Sequence, residues 1–163
     1  MKGLLLSLLV VAVTFELGAA DLPVECYFSD IQGTWTFYES ARDGSPGMAC
    51  DTVDEVVYQK TIKLRFPNTA EDEFGNIGTW TMVYDQGFEV RVGGRSYFAF
   101  SYFEKTGDNV TSYCDKTFPG WARDLTVRNW SCFKAVKVTD IPVLRQRFDR
   151  HNSKLVRCHL GRS

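Results

Sequence analysis

The chain has 163 residues, 44% of them hydrophobic and 24% charged, with a formal net charge of −1. Its length suits a single domain. Residues 143–163 hold six lysines and arginines against one aspartate, and the body before them is mildly acidic. Nucleic-acid binding needs basic residues spread over a folded surface, so the composition excludes that class.

The first 20 residues have the pattern of a signal peptide. Lys2 provides a positive charge, "LLLSLLVVAVTF" is apolar, and Ala20 ends a run of small residues suited to cleavage. The apolar run is shorter than the roughly 20 residues that a membrane-spanning helix requires. We therefore expect no membrane span and a mature chain that begins at Asp21. The chain would enter the secretory route, with the lysosome or the extracellular space as destination.

Residues 31–136 read as short strands separated by turns. Gly, Asn and Asp recur between segments rich in aromatic and β-branched residues, which favour strands. The predicted strands are "IQGTWTFY", "EVVYQKTIKLRF", "GTWTMVY", "FEVRV", "RSYFAFSYF", "NVTSYC" and "NWSCFKAVKV". The clearest hairpin is "FEVRVGGRSYFAF", in which two alternating runs flank Gly93 and Gly94. This pattern predicts an antiparallel barrel or sandwich, and we favour a barrel because closure removes exposed sheet edges.

The pattern ends near residue 140. We assign residues 21–139 to the β domain and residues 140–163 to a divergent basic tail. The tail is expected either to be disordered or to form a short helix near residues 144–148.

The five cysteines indicate a disulfide framework, given the predicted secretory route. The sequence alone leaves three pairings open for the first four, and the fifth, Cys158, is left over. The cysteines are Cys26, Cys50, Cys114, Cys132 and Cys158. Two N-glycosylation sequons, "NVT" at Asn109 and "NWS" at Asn129, fit the same compartment.

Catalytic groups are scarce. The chain has two histidines, His151 and His159, and both lie in the tail. His159 follows Cys158 directly, and adjacent residues rarely achieve the geometry of a Cys–His catalytic pair. No phosphate-binding loop or metal-ligand spacing is present, so we expect no metal and no cofactor in this chain. The sequence therefore favours a binding or accessory module.

One resemblance points to a small-ligand carrier. The stretch "IQGTW" is similar to the G-x-W motif on the first strand of lipocalins, which are secreted eight-stranded barrels. We keep a lipocalin-like ligand-binding barrel as the alternative interpretation.

A more extensive resemblance runs through the whole barrel region. It rests on "DLPVECYFSDIQGTWTF", "EFGNIGTWTMVYDQGFEV", "YFAFSYFEKTG", "VTSYCDKTFPGWARDL" and "RNWSCF". From Asp21 to about Phe133, these segments resemble the exclusion domain of dipeptidyl peptidase I, or cathepsin C, a papain-like lysosomal cysteine exopeptidase. The resemblance implies an all-β, antiparallel up-and-down barrel of about eight strands, stapled by disulfides.

The resemblance also implies a function. In that family the exclusion domain blocks the cleft of a papain-like peptidase domain, and an aspartate at its mature N-terminus binds the free amino group of the substrate. Dipeptides are therefore removed from protein N-termini. The matching aspartate here is Asp21.

Other residues are carried over in the same way. The implied disulfides are Cys26–Cys114 and Cys50–Cys132, and the implied cleft-blocking hairpin runs from Tyr102 to Tyr113.

The family's catalytic Cys, His and Asn have no counterparts in the sequence, so we expect the chain alone to be inactive. Its expected partners are a papain-like peptidase domain, in cis or in trans, and the N-termini of peptide substrates. A tetramer and bound chloride are implied for the complete family enzyme alone. A truncated gene product, a stand-alone regulatory domain and a partial duplicate all stay open as explanations.

Overall fold

The structure, a computed structural model, describes residues 22–138. One short helix, α1, precedes nine β-strands. The elements are α1 Phe28–Ile31, β1 Gly33–Glu39, β2 Tyr58–Arg65, β3 Thr69–Asp72, β4 Ile77–Val83, β5 Gly87–Val92, β6 Arg95–Thr106, β7 Asn109–Thr117, β8 Gly120–Asp124 and β9 Ser131–Val138. The predicted signal peptide, the predicted tail helix and the residues Asp21, His151, Cys158 and His159 lie outside the described residues.

Eight strands close into an antiparallel barrel. Neighbouring strands from β1 to β6 pair in chain order, β6 then pairs with β8, β8 with β9, and β9 returns to β1. The ninth strand, β7, lies outside this closed order and pairs with the second half of β6. The prediction of an up-and-down barrel of about eight strands is therefore confirmed.

The barrel interior is filled by large side chains. Strand β1 alternates in burial, and its inward residues Trp35 and Phe37 are completely buried. The Trp35 ring lies 5.0 Å from Phe88, and Phe37 lies 5.1 Å from Tyr97 and 5.4 Å from Phe133. A lipocalin-like carrier needs a cavity within its barrel. Aromatic packing of this kind makes a solid core instead, which argues against the alternative interpretation.

Strand direction defines two ends of the barrel. At one end, which we call the hairpin end, β1 begins, residues 84–86 connect β4 to β5, and β6 continues beyond the barrel. Helix α1 also lies here, because the Phe28 ring stacks on Trp80 at 4.4 Å. The Trp35 indole nitrogen donates a 2.7 Å hydrogen bond to the Ile31 carbonyl, which fixes the entry into β1.

The β5–β6 hairpin forms as predicted from its two glycines. Gly93 and Gly94 have φ angles of 57° and 77°, the left-handed region that a two-residue type I′ turn requires. Two short strands, β3 and β8, were not predicted, and α1 was not predicted either. Within residues 22–138, no helix is long and apolar enough to cross a membrane.

Candidate functional site

The β6–β7 hairpin projects from the hairpin end of the barrel. Residues 95–98 of β6 pair with β8 in the barrel wall, whereas residues 101–106 pair with β7 alone. The pairing shifts register between Ser101 and Tyr102, where the hairpin leaves the wall. Its tip is a two-residue turn in which Gly107 has a φ of 61°. The segment matched to the family's cleft-blocking hairpin is therefore a protruding two-stranded arm.

One face of this arm carries a compact polar and aromatic cluster, which we call the tyrosine face: Tyr102, Glu104, Tyr113 and Lys116. The two tyrosines lie directly opposite each other, with ring centroids 5.6 Å apart. Their hydroxyls donate to the two oxygens of Glu104, over 3.2 Å from Tyr102 and 3.1 Å from Tyr113. The Lys116 ammonium lies 4.1 and 4.2 Å from the two ring centroids, within cation–π range.

The Glu104 carboxylate shapes the titration of both tyrosines. Its hydrogen bonds stabilise the neutral phenols and its charge opposes a phenolate, so the pKa values of Tyr102 and Tyr113 lie above the ordinary 10.0. At neutral pH both hydroxyls are therefore donors held by one acceptor. This arrangement fixes the rings on the arm and offers an ordered surface for contact.

The opposite face of the arm holds residues 22–26, which we call the N-terminal segment. The backbone nitrogen of Glu25 donates to the Ser112 hydroxyl over 3.1 Å. Cys26 forms a disulfide with Cys114, and its backbone nitrogen donates a 2.9 Å hydrogen bond to the Asp85 carbonyl. Val24 is buried in the barrel core. The segment is thus tied to β7, to the β4–β5 turn and to the core.

Asp21 itself lies outside the described residues, but its neighbour Leu22 does not. Leu22 packs partly against the core and lines an open groove of about 240 Å³. The other residues lining this groove are Val24, Glu25, Tyr84, Asp85 and Gln86. The chain following Asp21 therefore runs at the hairpin end, beside the arm.

Both disulfides implied by the resemblance are present. Cys26–Cys114 joins the N-terminal segment to the arm, and Cys50–Cys132 joins the loop after β1 to β9. Their sequence separations are 88 and 82 residues, so each closes a long loop. The first bridge acts at the hairpin end, and the second holds a loop on the barrel wall.

A buried polar network lies at the other end of the barrel and was not predicted from the sequence. Glu39 accepts hydrogen bonds from Arg95, from the Ser131 hydroxyl at 2.6 Å and from Tyr97 at 3.2 Å. Arg42 adds two contacts of 2.9 and 3.0 Å to the same carboxylate. The signal was available, since Trp35, Phe37 and Glu39 alternate along β1, which places the glutamate on the inward face.

This network holds Glu39 ionised. Burial alone would raise its pKa, but hydrogen bonds from Arg42 and Ser131 and the charges of Arg95 and Arg42 outweigh burial and lower the pKa below 4.5. Both oxygens of the Glu39 carboxylate accept hydrogen bonds, so this buried group has no unpaired acceptor. Its place inside the barrel indicates a structural role.

The two predicted sequons lie in different surroundings. Asn109 is exposed at the tip of the arm. Asn129 lies in the β8–β9 connection with a φ of 52°, and its side-chain nitrogen donates a 2.6 Å hydrogen bond to Asp124. Neither residue contributes to the barrel core.

Comparison with known proteins agrees with this architecture. A family model described as the cathepsin C exclusion domain matches residues 21–137. A protein named cathepsin C from Schistosoma mansoni is 30% identical over 134 residues, which cover 82% of this chain and 28% of the relative. The chain thus spans less than a third of that relative's length. With the barrel, the two disulfides and the match over nearly all described residues, the chain belongs to the cathepsin C exclusion-domain family.

Proposed function

We propose that this domain blocks the cleft of a papain-like peptidase domain and binds the substrate's N-terminal ammonium through Asp21. Membership in the exclusion-domain family implies association with such a peptidase domain. The peptidase could be joined in the same polypeptide or bound as a separate chain. The outcome would be removal of dipeptides from protein N-termini, in the secretory route or the lysosome.

The observation that carries the proposal is the anchoring of the N-terminal segment beside the arm. A carboxylate recognises an ammonium usefully only if its position is fixed, because ordering a free chain end costs conformational entropy. The Cys26–Cys114 disulfide and the hydrogen bond from Cys26 to Asp85 provide that restraint five residues after Asp21. An exposed carboxylate on an unrestrained terminus would gain little from the same contact.

The chemistry separates chain ends from internal segments. A carboxylate facing an ammonium forms a charge-assisted hydrogen bond, worth about 1.5–3 kcal/mol when shielded from water. An internal peptide segment lacks the ammonium and collides with the arm. Selectivity therefore comes from exclusion as well as attraction.

Reconstitution of the domain with a papain-like peptidase domain tests the proposal. The substrates are one peptide with a free N-terminus and the same peptide acetylated. We expect Asp21→Asn to lower kcat/KM for the free peptide roughly 10- to 100-fold while sparing the acetylated one, in line with loss of the ammonium contact.

Glu25→Gln is the matched control, because Glu25 is an exposed carboxylate in the same segment. It should leave the preference for free N-termini unchanged, and the barrel assayed alone should hydrolyse neither peptide. Equal discrimination by the wild-type and Asp21→Asn complexes would rule out the assigned role of Asp21.

A further inference from the structure

Asn109 and Thr111, the acceptor and the hydroxyl residue of the first sequon, lie on one face of β7 and are both exposed. Asn109 pairs with Thr106 and Thr111 with Glu104. Residues directly opposite in an antiparallel pair share a face, and residues two apart on one strand also share it. The sequon therefore belongs to the same side of the arm as the tyrosine face.

The other side of the arm is occupied by the chain itself. Ser112 and Cys114, which alternate with Thr111 and Tyr113, bind Glu25 and Cys26 of the N-terminal segment. The sequon and the N-terminal segment thus lie on opposite faces of a sheet two strands wide. Asn109 is four residues from Tyr113, about 13 Å further toward the tip.

The second sequon is poorly suited to carry a sugar. The Ser131 hydroxyl is completely buried and is bound to Glu39 and Arg95. The exposed Asn129 side-chain nitrogen donates a 2.6 Å hydrogen bond to an Asp124 oxygen, so an attached sugar would leave it only one N–H with which to keep this contact. The same carboxylate also accepts hydrogen bonds from the backbone nitrogens of Thr126 and Arg128. Moving it would therefore break several hydrogen bonds of the β8–β9 connection.

We propose that Asn109 carries an N-linked oligosaccharide that extends from the tyrosine face, and that the peptidase cleft docks on the opposite face of the arm. This inference rests on the proposed function. An oligosaccharide at Asn109 would occupy the space above this face, so a protein docked there would have to displace it. The cleft then lies on the side of the N-terminal segment, where Asp21 has to act.

The modification is an ordinary group transfer. The donor is an oligosaccharide joined to a lipid diphosphate, supplied in the secretory route that we expect for this chain. The Asn109 side-chain nitrogen forms a bond to the anomeric carbon and loses one proton, and the carbon–oxygen bond to the diphosphate breaks. The lipid diphosphate leaves with the bonding electron pair, so no oxidant or reductant is needed.

Mass spectrometry of the protein secreted from a glycosylating host tests the acceptor. We expect one oligosaccharide at Asn109, released by a glycan amidase. Asn109→Gln and Thr111→Val should each abolish it, whereas Asn129→Gln should leave the mass of the glycan unchanged. A secreted protein with an unmodified Asn109, or with its oligosaccharide at Asn129, would overturn the inference.

Moving the sequon by one residue tests the docking face, because a shift of one position along a strand changes the face. The double variant Asn109→Gln/Val110→Asn creates a sequon at position 110 that Ser112 completes. We expect the wild type and Asn109→Gln to bind a papain-like peptidase domain equally. The double variant should bind roughly tenfold more weakly or worse, since the relocated glycan clashes with the docked partner.

The control is the same double variant produced in a host that does not glycosylate, which keeps every substitution and lacks the glycan; it should bind at least tenfold more tightly than the glycosylated form. An unweakened double variant, or a gain of binding when the native glycan is removed, would contradict the assignment of the face. If neither the wild type nor Asn109→Gln binds, the proposed docking fails, and the mass measurement still decides the use of Asn109.

Chemical acetylation of lysines in the wild-type complex tests the docking face without any substitution. Lys105 pairs with Val110 and lies on the face away from the tyrosines, whereas Lys116 belongs to the tyrosine face. Bound peptidase domain should protect Lys105 and leave Lys116 as reactive as in the free domain. The reverse pattern would place the cleft on the glycan side and refute the inference.

Discussion

Tyr102 and Tyr113 face each other across the β6–β7 arm and share a single acceptor, the Glu104 carboxylate. Both rings also lie under the Lys116 ammonium. The four side chains therefore order one another on an otherwise thin, two-stranded projection. Order of this kind matters for a projecting element, because cross-strand pairs are the main side-chain contribution to the stability of a two-stranded sheet.

Replacing the shared acceptor should change the titration of both tyrosines. Glu104→Gln removes the negative charge that opposes phenolate formation, so the pKa values of Tyr102 and Tyr113 should fall back toward 10.0. NMR titration of ring-labelled tyrosine measures both residues separately. Glu89→Gln, which alters a carboxylate bound to Arg91 and Ser96 on the barrel wall, should leave both values in place. Unchanged pKa values in Glu104→Gln would show that the carboxylate is not their acceptor in solution.

The buried pair of Glu39 and Arg95 should dominate the polar contribution to folding. Arg95→Met removes the more deeply buried of the two guanidinium partners of Glu39 and leaves Arg42 in place. Because breaking a buried ion pair is strongly destabilising, the loss should approach about 3–5 kcal/mol of unfolding free energy. The control is Glu71→Gln, which breaks the more exposed pair with Arg65 and should cost less than about 1 kcal/mol. Urea unfolding of the three proteins measures the difference. Similar losses in the two variants would contradict the buried assignment.

The same network predicts a pH dependence of stability. The pKa of Glu39 is lowered by folding, so its contribution is fully present above the unfolded value of about 4.5 and is lost as pH falls through the lower folded value. The difference in unfolding free energy between wild type and Glu39→Gln should therefore be constant from pH 7 to 5 and shrink below pH 4.5. Urea unfolding at several pH values follows it. A difference that grows on acidification would mean that folding raises the pKa.

Removal of either disulfide should lower the stability by a similar amount, but only one of the two removals should lower the selectivity for free N-termini. Because their sequence separations of 88 and 82 residues are close, replacing either cysteine pair by serine should cost a similar amount, about 4 kcal/mol in the chain-entropy model. Removal of Cys26–Cys114 should also reduce discrimination between free and acetylated peptides by the reconstituted peptidase, since it frees the N-terminal segment. Removal of Cys50–Cys132 should spare that discrimination. Equal effects of the two removals on selectivity would contradict the proposed role of Cys26–Cys114 in holding the N-terminal segment.

The alternation of apolar and polar residues predicted the barrel strands well where the strands are long and the turn residues between them are characteristic of a tight turn. The run around Gly93 and Gly94 specified both strands and the turn, and the β5–β6 hairpin forms as expected. Strand β3 was missed because three of its four residues, "TAED", have low intrinsic strand propensity, and its two acidic residues are typical of a solvated loop. It forms because Ala70 and Asp72 are buried between its neighbours β2 and β4, which is tertiary information.

Strand β8 was missed for a different reason. The stretch "FPGW" has adjacent proline and glycine and is typical of a turn, whereas the structure starts the strand at Gly120. For the candidate site, the sequence resemblance identified the arm and both disulfide pairings. It could not identify which face of the arm holds the N-terminal segment, because that depends on the register between β6 and β7. Asp21 stays a prediction, since it lies outside the described residues.

Strand β6 is a single twelve-residue element that serves first as barrel wall and then as one side of the arm. The backbone therefore passes from the barrel wall into the arm as one strand, with no loop between the two parts. The length of the arm is therefore fixed by the sequence. The distance from the barrel to the end of the arm is set by the number of residues in one strand.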